Sequence, residues 1–191
     1  MPADATHWDR RYAESDRVWR ADPHEQLVEA VVGVPAGRAL DVAAGEGRHA
    51  IWLAEQGWEV TAIDFSAVGL QKGREEAERR GLAIEWVVDD VTTWATGREF
   101  DLVLVAFLHI GPEVYATLRS HLAPGGRLVV VGHARRNITD GVGGPQDPAV
   151  LDDTASLAEA AGELRAERLE EVERHTPAGT AIDVVLVARR D

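Results

Sequence analysis

The sequence predicts an α/β fold in which a doubly wound sheet of seven strands forms the middle of three layers. Short apolar runs alternate with amphipathic stretches along most of the chain, a pattern typical of parallel strands joined by helices. The last two runs are joined instead by Thr176-Pro177-Ala178-Gly179, which is a hairpin signal. We therefore expect a Rossmann-like sheet that is mostly parallel, carries helices on both faces and ends in a C-terminal antiparallel hairpin.

The individual elements follow from this alternation. Strands are predicted in the short apolar runs at 38–43, 58–63, 83–88, 100–108 and 128–132. Helices are predicted between them at 48–56, 66–80 and 112–122. Ser66 is suited to cap the second of these helices, and Pro112 to stand in the first turn of the third. Beyond a loop at 135–148 we expect a short helix at 154–162 and the hairpin strands at 164–175 and 181–188.

Length and composition restrict the class of protein. A chain of 191 residues fits one domain with a full core. We divide it into an N-terminal helical cover (1–35), a core (36–133), a loop and helix (134–163) and the hairpin (164–191). The net charge of −13 argues against nucleic acid or an anionic membrane as partner, and the absence of cysteine excludes thiolate chemistry. A polar N-terminus without an apolar signal region predicts a cytoplasmic protein.

The residues that follow each strand are the candidate site, because ligands bind beyond the carboxyl ends of parallel strands. Gly45 and Gly47 follow the first strand and open a helix, so the backbone can approach a ligand beside unpaired N–H groups. Asp41 lies within that strand, and we expect it to bond to the glycine-loop backbone. Asp64 ends the second strand and could accept hydrogen bonds from a ribose diol; the alternative is that it caps a turn.

Two histidines end later strands and are the candidate general bases. His109 follows the fourth strand and His133 the fifth, and imidazole titrates near neutrality. A histidine at a strand end is more often a structural hydrogen-bonding group, so both interpretations stay open. They could share a metal ion only if they converge; the sequence has no metal-ligand spacing, and we predict no metal.

Dinucleotide binding is the natural competitor. Residues 45–50 form a GxGxxA string, and with Asp64 they partly satisfy the dinucleotide fingerprint. Three features oppose an NAD-binding oxidoreductase: Asp41 stands four residues before the first glycine, Asp90 ends the third strand, and the hairpin replaces a parallel second half.

The chain resembles class I S-adenosylmethionine-dependent methyltransferases. Their first two motifs are similar to ALDVAAGEGRHAIWLAEQGWEVTAIDFS, and their fourth- and fifth-strand motifs to FDLVLVAFLHIG and LAPGGRLVVVGH. The opening HWDRRYAESDRVWRADPHEQL resembles the N-terminal cover of the tellurite-resistance and thiopurine-type branch, which methylates small molecules. The resemblance spans Trp8 to His133 and the terminal hairpin. It departs from the family's pattern at Ala43, where the first loop glycine usually stands.

The resemblance implies contacts to S-adenosylmethionine. Asp41 would anchor the loop and pair with the methionine amino group, Asp64 would bind the ribose hydroxyls, and Asp90 would accept from the adenine amino group. Ala43, Gly45 and Gly47 would lie beside the methionine and the ribose, and Phe65 and Val91 would contact the adenine. Ala106 would line the sulfonium side, and Tyr12 and Trp19 would close over the cofactor. The last pair could instead simply pin the N-terminal helix to the core.

The loop at 135–148 is predicted to form part of the acceptor pocket. Its glycines give backbone freedom at the ligand-binding edge, and closing it would exclude water. Arg135 and Asn137 would contact the acceptor, although a passive connection and a solvated Arg135 are the alternatives. We thus expect in-line methyl transfer from S-adenosylmethionine to a small molecule. A non-catalytic cofactor-binding sensor is the alternative from another class.

Overall fold

The computed structural model describes residues 5–111 and 113–191, and its seven strands form one sheet in the order β3-β2-β1-β4-β5-β7-β6. The strands are β1 (Arg38–Val42), β2 (Glu59–Asp64), β3 (Ile84–Val88), β4 (Phe100–Ala106), β5 (Leu122–His133), β6 (Arg165–Thr176) and β7 (Gly179–Arg189). The first five strands are parallel to one another, whereas β7 is antiparallel to both β5 and β6. The predicted α/β fold with a C-terminal hairpin is therefore confirmed.

Seven helices are found in the described part of the chain. They are α1 (Ala5–Ala13), α2 (Glu25–Val31), α3 (Arg48–Glu55), α4 (Ala67–Arg79), α5 (Val114–Ser120), α6 (Asn137–Asp140) and α7 (Thr154–Ala161). Ser66 caps α4 as predicted, because its side chain accepts a hydrogen bond from the backbone N–H of Gly69. The predicted position of Pro112 in the first turn of α5 lies outside the described residues.

Two predicted boundaries are wrong. Strand β5 begins at Leu122 rather than 128, because Leu122 pairs with Phe100 and an irregularity in the pairing lets the strand continue through Gly125 and Gly126. The segment 135–148 is not a featureless loop, since it contains α6 and leads into a 3₁₀ helix at Pro148–Val150.

The core has two halves, one on each face of the sheet. Alternate residues of β4 belong to opposite halves: Val103 packs on one face, and Leu102 and Leu104 pack on the other. Because both faces of this parallel strand are covered, the residues in its middle form a continuous apolar run.

Strand β7 brings distant parts of the chain together. It is buried from Ala181 to Ala188, whereas its partner β6 forms the charged, largely exposed edge of the sheet. Its pairing with β5 places Asp183 directly opposite His133. None of the helices described is long and apolar enough to cross a bilayer.

Candidate functional site

The loop between β1 and α3 is built from left-handed backbone. Ala43, Gly45 and Gly47 have φ angles of 56°, 55° and 71°. A β-carbon on Gly45 would lie 2.5 Å from the hydroxyl oxygen of Tyr12, so glycine is required there by close approach as well as by φ. Ala43 adopts the same conformation with its methyl group in place.

Asp41 is the most unusual group beside this loop. It is 1% exposed, and its Oδ2 accepts a hydrogen bond of 3.0 Å from the backbone N–H of Ala50, in the first turn of α3. Its Oδ1 is buried and has no hydrogen-bond partner in the described structure. Burial raises the pKa of Asp41 to about 7, against the bond from Ala50. The side chain therefore anchors the start of α3 with one oxygen and leaves the other available.

Asp64 ties the end of β2 to the loop. Its Oδ2 accepts from the backbone N–H of Gly45 and its Oδ1 from that of Ser66, both at 2.8 Å. Burial raises the pKa of Asp64, although both of these hydrogen bonds lower it. Each oxygen retains a second lone pair for a further donor. The turn-capping role is thus present, and a ribose contact stays a prediction.

The N-terminal cover lies directly on the loop. Tyr12 is 4% exposed and its hydroxyl accepts a hydrogen bond of 3.1 Å from the indole N–H of Trp19. Burial raises the pKa of Tyr12 well above its ordinary value. The two side chains predicted to close over the cofactor are therefore brought together, and they pin the N-terminal segment to the core as well.

Glu46 and Lys72 form a charged pair that was not identified from the sequence, and both bind the backbone of the N-terminal segment. The buried carboxylate of Glu46, in the glycine loop, accepts from the backbone N–H groups of Val18 and Trp19, each at 3.0 Å. The ammonium of Lys72, on α4, donates to the carbonyl oxygens of Tyr12, Ser15 and Asp16. Lys72 Nζ lies 3.6 Å from Glu46 Oε1. The signal available in the sequence was the single lysine of the chain.

The residues after β3 form a turn. Asp90 Oδ1 accepts from the backbone N–H of Thr92 at 2.8 Å and from its hydroxyl at 2.7 Å, and Asp90 is exposed. Val91 is buried, and Phe65, after β2, is half-buried. The adenine contacts implied for these three residues stay predictions.

The two candidate bases converge beyond the ends of β4 and β5. The rings of His109 and His133 are stacked with centroids 5.6 Å apart. Both lie against Phe107, which follows Ala106 and has a left-handed φ of 57°. Burial and the neighbouring His133 lower the pKa of His109 to about 4, so its ring is neutral. In the residues described, no group of three or more His, Cys, Asp or Glu side chains is arranged to hold a metal ion.

Asp183 joins this cluster and was not identified from the sequence. It is fully buried and makes a bidentate ion pair with Arg174, at 2.5 Å and 3.2 Å. Its two oxygens also lie 3.3 Å from His133 Nδ1 and 3.4 Å from His24 Nε2. Burial would raise the pKa of Asp183, but His133, His24 and Arg174 hold it well below its ordinary value. A lone acid within the apolar run AIDVVLVA was the available signal.

Arg48 is a second cationic side chain that the sequence interpretation left unassigned. It is the first residue of α3 and is half-buried, and burial lowers its pKa although Asp41 raises it. Its guanidinium lies 6.0 Å from the ring centroid of Phe107. No ion pair or hydrogen bond from its side chain occurs within residues 5–111 and 113–191. A cation at a helix N-terminus is unfavourable without an anion nearby.

The geometry does not support the acceptor contacts predicted for Arg135 and Asn137. Asn137 is 1% exposed; its amide donates to the carbonyl of Gly143 at 2.8 Å and accepts from the N–H of Ile182 at 2.7 Å. Arg135 donates to Asp153 at 2.7 Å. Both side chains are thus occupied in holding the 135–148 segment, where buried backbone groups need partners.

The same segment nevertheless reaches the histidine cluster. A β-carbon on Gly144 would lie 2.6 Å from Cδ2 and 3.0 Å from Nε2 of His133. The N–H of Val142 donates to the carbonyl of Thr180 at 3.1 Å, which fixes the segment against β7. Gly144 therefore lies against His133, while a role of this segment in an acceptor pocket stays a prediction.

Part of the chain is similar to a known protein family. Residues 39–126 match the family described as "Methyltransferase domain". The chain is 34% identical over 119 residues to the demethylmenaquinone methyltransferase of Renibacterium salmoninarum, a match that covers 60% of this chain and 47% of that protein. The chain spans less than half the length of the first curated relatives it matches.

Two solved structures share the whole architecture. TehB from Haemophilus influenzae superposes with a TM-score of 0.76 at 18% identity, over 98% of this chain and 67% of that one. The N-methyltransferase NodS from Bradyrhizobium japonicum WM9, in complex with S-adenosyl-L-homocysteine, superposes with a TM-score of 0.75 at 16% identity, over 97% and 98%. At these identities the likeness shows a common fold.

Proposed function

We propose that this chain, which has the class I methyltransferase fold and matches the methyltransferase domain family over residues 39–126, is an S-adenosylmethionine-dependent methyltransferase with a small-molecule acceptor. The observation that carries the proposal is the unpartnered Oδ1 of Asp41 beside the glycine loop. A buried carboxylate oxygen without a donor is costly, and a bound ammonium group would satisfy it.

The residues around Asp41 suit the methionine end of the donor. Its ammonium would pair with Asp41 Oδ1, and its carboxylate would pair with the guanidinium of Arg48, which lacks an anion in the described structure. Asp41 lies near the end of β1 and Arg48 is the first residue of α3, so the two charged groups stand on either side of the glycine loop in the chain. The left-handed loop at Ala43, Gly45 and Gly47 would carry the adjoining part of the donor.

The remaining contacts extend along the sheet edge toward β3. Asp64 would accept from the ribose hydroxyls, and the adenine would lie between Phe65 and Val91 with its amino group toward Asp90. Tyr12 and Trp19 would close the site from above. When bound, S-adenosylmethionine supplies a methyl group on a positively charged sulfur, and transfer needs an aligned nucleophile and the exclusion of water.

The acceptor would lie on the side of β4 and β5. Ala106 and Phe107 lead from β4 to the stacked rings of His109 and His133, and Gly144 of the 135–148 segment lies against the ring of His133. We propose His133 as the base and His109 as a neutral wall of this pocket. A net charge of −13 disfavours a nucleic-acid substrate, which supports a small molecule.

The alternatives make different predictions. An NAD-binding oxidoreductase would be expected to continue with parallel strands, whereas here β7 is antiparallel between β5 and β6. A non-catalytic sensor would bind the donor without transferring its methyl group. The single-domain division of residues 1–191 and a cytoplasmic location stay predictions from the sequence.

A radiolabelled-methyl assay tests the proposal. Purified protein is incubated with methyl-labelled S-adenosylmethionine and a panel of hydroxyl, thiol, amine and oxyanion acceptors. We expect transfer to at least one class of acceptor, and loss of transfer in Asp41→Asn. Donor binding without transfer to any acceptor would favour the sensor, and no donor binding would reject the proposal.

A further inference from the structure

We propose that Asp183 is a positioning residue for His133, that His133 removes a proton from the acceptor, and that the acceptor is therefore a nucleophile that arrives protonated, a hydroxyl or a thiol. The inference rests on the proposed methyltransferase function and deepens it. It concerns residues that come together only through the β5–β7 pairing.

Asp183 is held in one place. Arg174 binds both of its oxygens, it is fully buried, and it lies on a strand that is paired on both sides. His24 contacts it as well, and the Nδ1 of His24 accepts from the N–H of Gln26 at 3.4 Å. His24 therefore carries its proton on Nε2, the atom that faces Asp183.

The fixed carboxylate orients His133. Its Nδ1 is buried and lies 3.3 Å from Asp183 Oδ1, in an ion-pair contact that does not have the geometry of a hydrogen bond. A carboxylate at this atom favours the tautomer with the proton on Nδ1, and leaves the lone pair on Nε2. That nitrogen makes no hydrogen bond within the described structure and lies on the Gly144 side of the ring. Oriented this way, His133 can accept a proton and Asp183 stabilises the imidazolium.

The other groups around His133 permit this change of charge. Two titratable groups contact His133 directly, Asp183 and His109. Three further charged or titratable groups contact its neighbours: His24 and Arg174 contact Asp183, and Arg174 and Arg48 lie over the ring of Phe107. His109 is neutral because of its burial, so the stacked ring adds no second positive charge. Arg174 and Asp183 form a bidentate ion pair whose charges balance, so Asp183 acts on His133 through its contact with Nδ1 and not as an uncompensated negative charge. The carboxylate contact is therefore the decisive one.

Methyl transfer from the donor to the acceptor would be an in-line displacement. The acceptor O–H or S–H gives its proton to His133 Nε2, and the electron pair of that bond remains on the acceptor. A lone pair of the acceptor forms the new bond to the methyl carbon, and the carbon–sulfur bond of the donor breaks with its electrons on sulfur. His133 then returns the proton to solvent. An acceptor that presents a free lone pair and carries no proton on the attacking atom, such as a thioether, would not need the base.

Nuclear magnetic resonance of the unmodified protein tests the positioning directly. We expect ¹⁵N-labelled histidine spectra, assigned with His133→Gln, to show His133 with its proton on Nδ1 in neutral solution. In Asp183→Asn we expect that preference to be lost. A His133 with its proton on Nε2 in the unmodified protein would overturn the proposal, whether or not the variant folds.

Kinetics test the consequence for the acceptor. In Asp183→Asn and His133→Gln we expect transfer to a hydroxyl or thiol acceptor to fall by about 10²–10⁴-fold, the range for general-base catalysis, with donor affinity unchanged. The low-pH limb of kcat/KM should also be altered. An unchanged rate with such an acceptor, or transfer only to acceptors without a proton, would overturn this inference and leave the methyltransferase proposal intact. Failure to bind the donor would instead reject the methyltransferase proposal.

Discussion

Gly144 lies against the imidazole of His133 so closely that a β-carbon at residue 144 would be 2.6 Å from Cδ2 of the ring. Gly143, its neighbour, has nothing within 4 Å of the corresponding position. Both glycines have left-handed φ angles, 76° and 72°, so alanine causes a similar backbone strain at each. Alanine variants of the two glycines therefore distinguish the effect of backbone strain from the effect of contact with the ring of His133.

The first prediction uses this pair. Gly144→Ala should push the ring of His133 from its place and reduce methyl transfer by at least about 10-fold, since a small misplacement of a reacting group costs much of the rate. Gly143→Ala should reduce it far less. Donor affinity should be the same in both. Equal losses of transfer in the two variants would show that only backbone strain matters here.

The second prediction concerns Asp64. Asp64→Ala should weaken S-adenosylmethionine binding by about 1–3 kcal/mol, because a partner of buried polar groups is removed. The N–H of Gly45 also loses its acceptor, so the thermal midpoint should fall as well. Asp64→Asn, which keeps one carbonyl acceptor, is the comparison for folding. Calorimetry that finds unchanged affinity in a folded Asp64→Ala protein would leave Asp64 as a turn residue only.

The third prediction is a proton linkage at Asp41. Burial raises the pKa of Asp41 to about 7 in the free protein, and a bound ammonium stabilises the ionised form. Binding near and below pH 7 should therefore release a proton, and donor affinity should rise as the pH rises through 7. Calorimetry in two buffers of different ionisation enthalpy measures the release. It should disappear in Asp41→Asn, and an unmodified protein that releases no proton would contradict the proposed pairing.

The fourth prediction concerns the N-terminal cover. Glu46→Gln removes the charge that binds the N–H groups of Val18 and Trp19, so their hydrogen exchange should become several-fold faster. Exchange in β4 should not change. Glu78→Gln, at an exposed position of α4, is the matched control and should affect neither. Slow exchange at Val18 and Trp19 in Glu46→Gln would show that the aromatic contacts alone hold the cover.

The sheet could be predicted because its signals are local. Buried parallel strands are short apolar runs, and glycines or capping residues such as Ser66 stand where helices begin or end. The start of β5 could not be predicted in this way, because Gly125 and Gly126 have the composition of a turn. Their place in the strand depends on the pairing of Leu122 with Phe100.

The sequence placed Asp41, Asp64, His109 and His133 at or just beyond the carboxyl ends of their strands, and the structure has them there. Their roles toward a ligand stay predictions. Asp183 was not identified, because its contact with His133 depends on the register of two antiparallel strands fifty residues apart, and no local pattern fixes that register.

Asn137 is a residue whose structural contacts compete with its predicted role at the acceptor. Its position beside a candidate base suggested an acceptor contact, but the structure uses its amide to satisfy the backbone of Gly143 and Ile182. A polar residue in a turn is needed as often by the backbone as by a ligand. Sequence alone does not distinguish the two uses.

Calorimetric titration decides whether the loop after β1 binds S-adenosylmethionine through Asp41. S-adenosylmethionine, S-adenosylhomocysteine and NAD are titrated separately into the unmodified protein and into Asp41→Asn. We predict binding of the first two and not of NAD, with affinity reduced at least about 10-fold in the variant, the scale of a lost charge-assisted pair. Binding of NAD without a response to the other two would contradict the account.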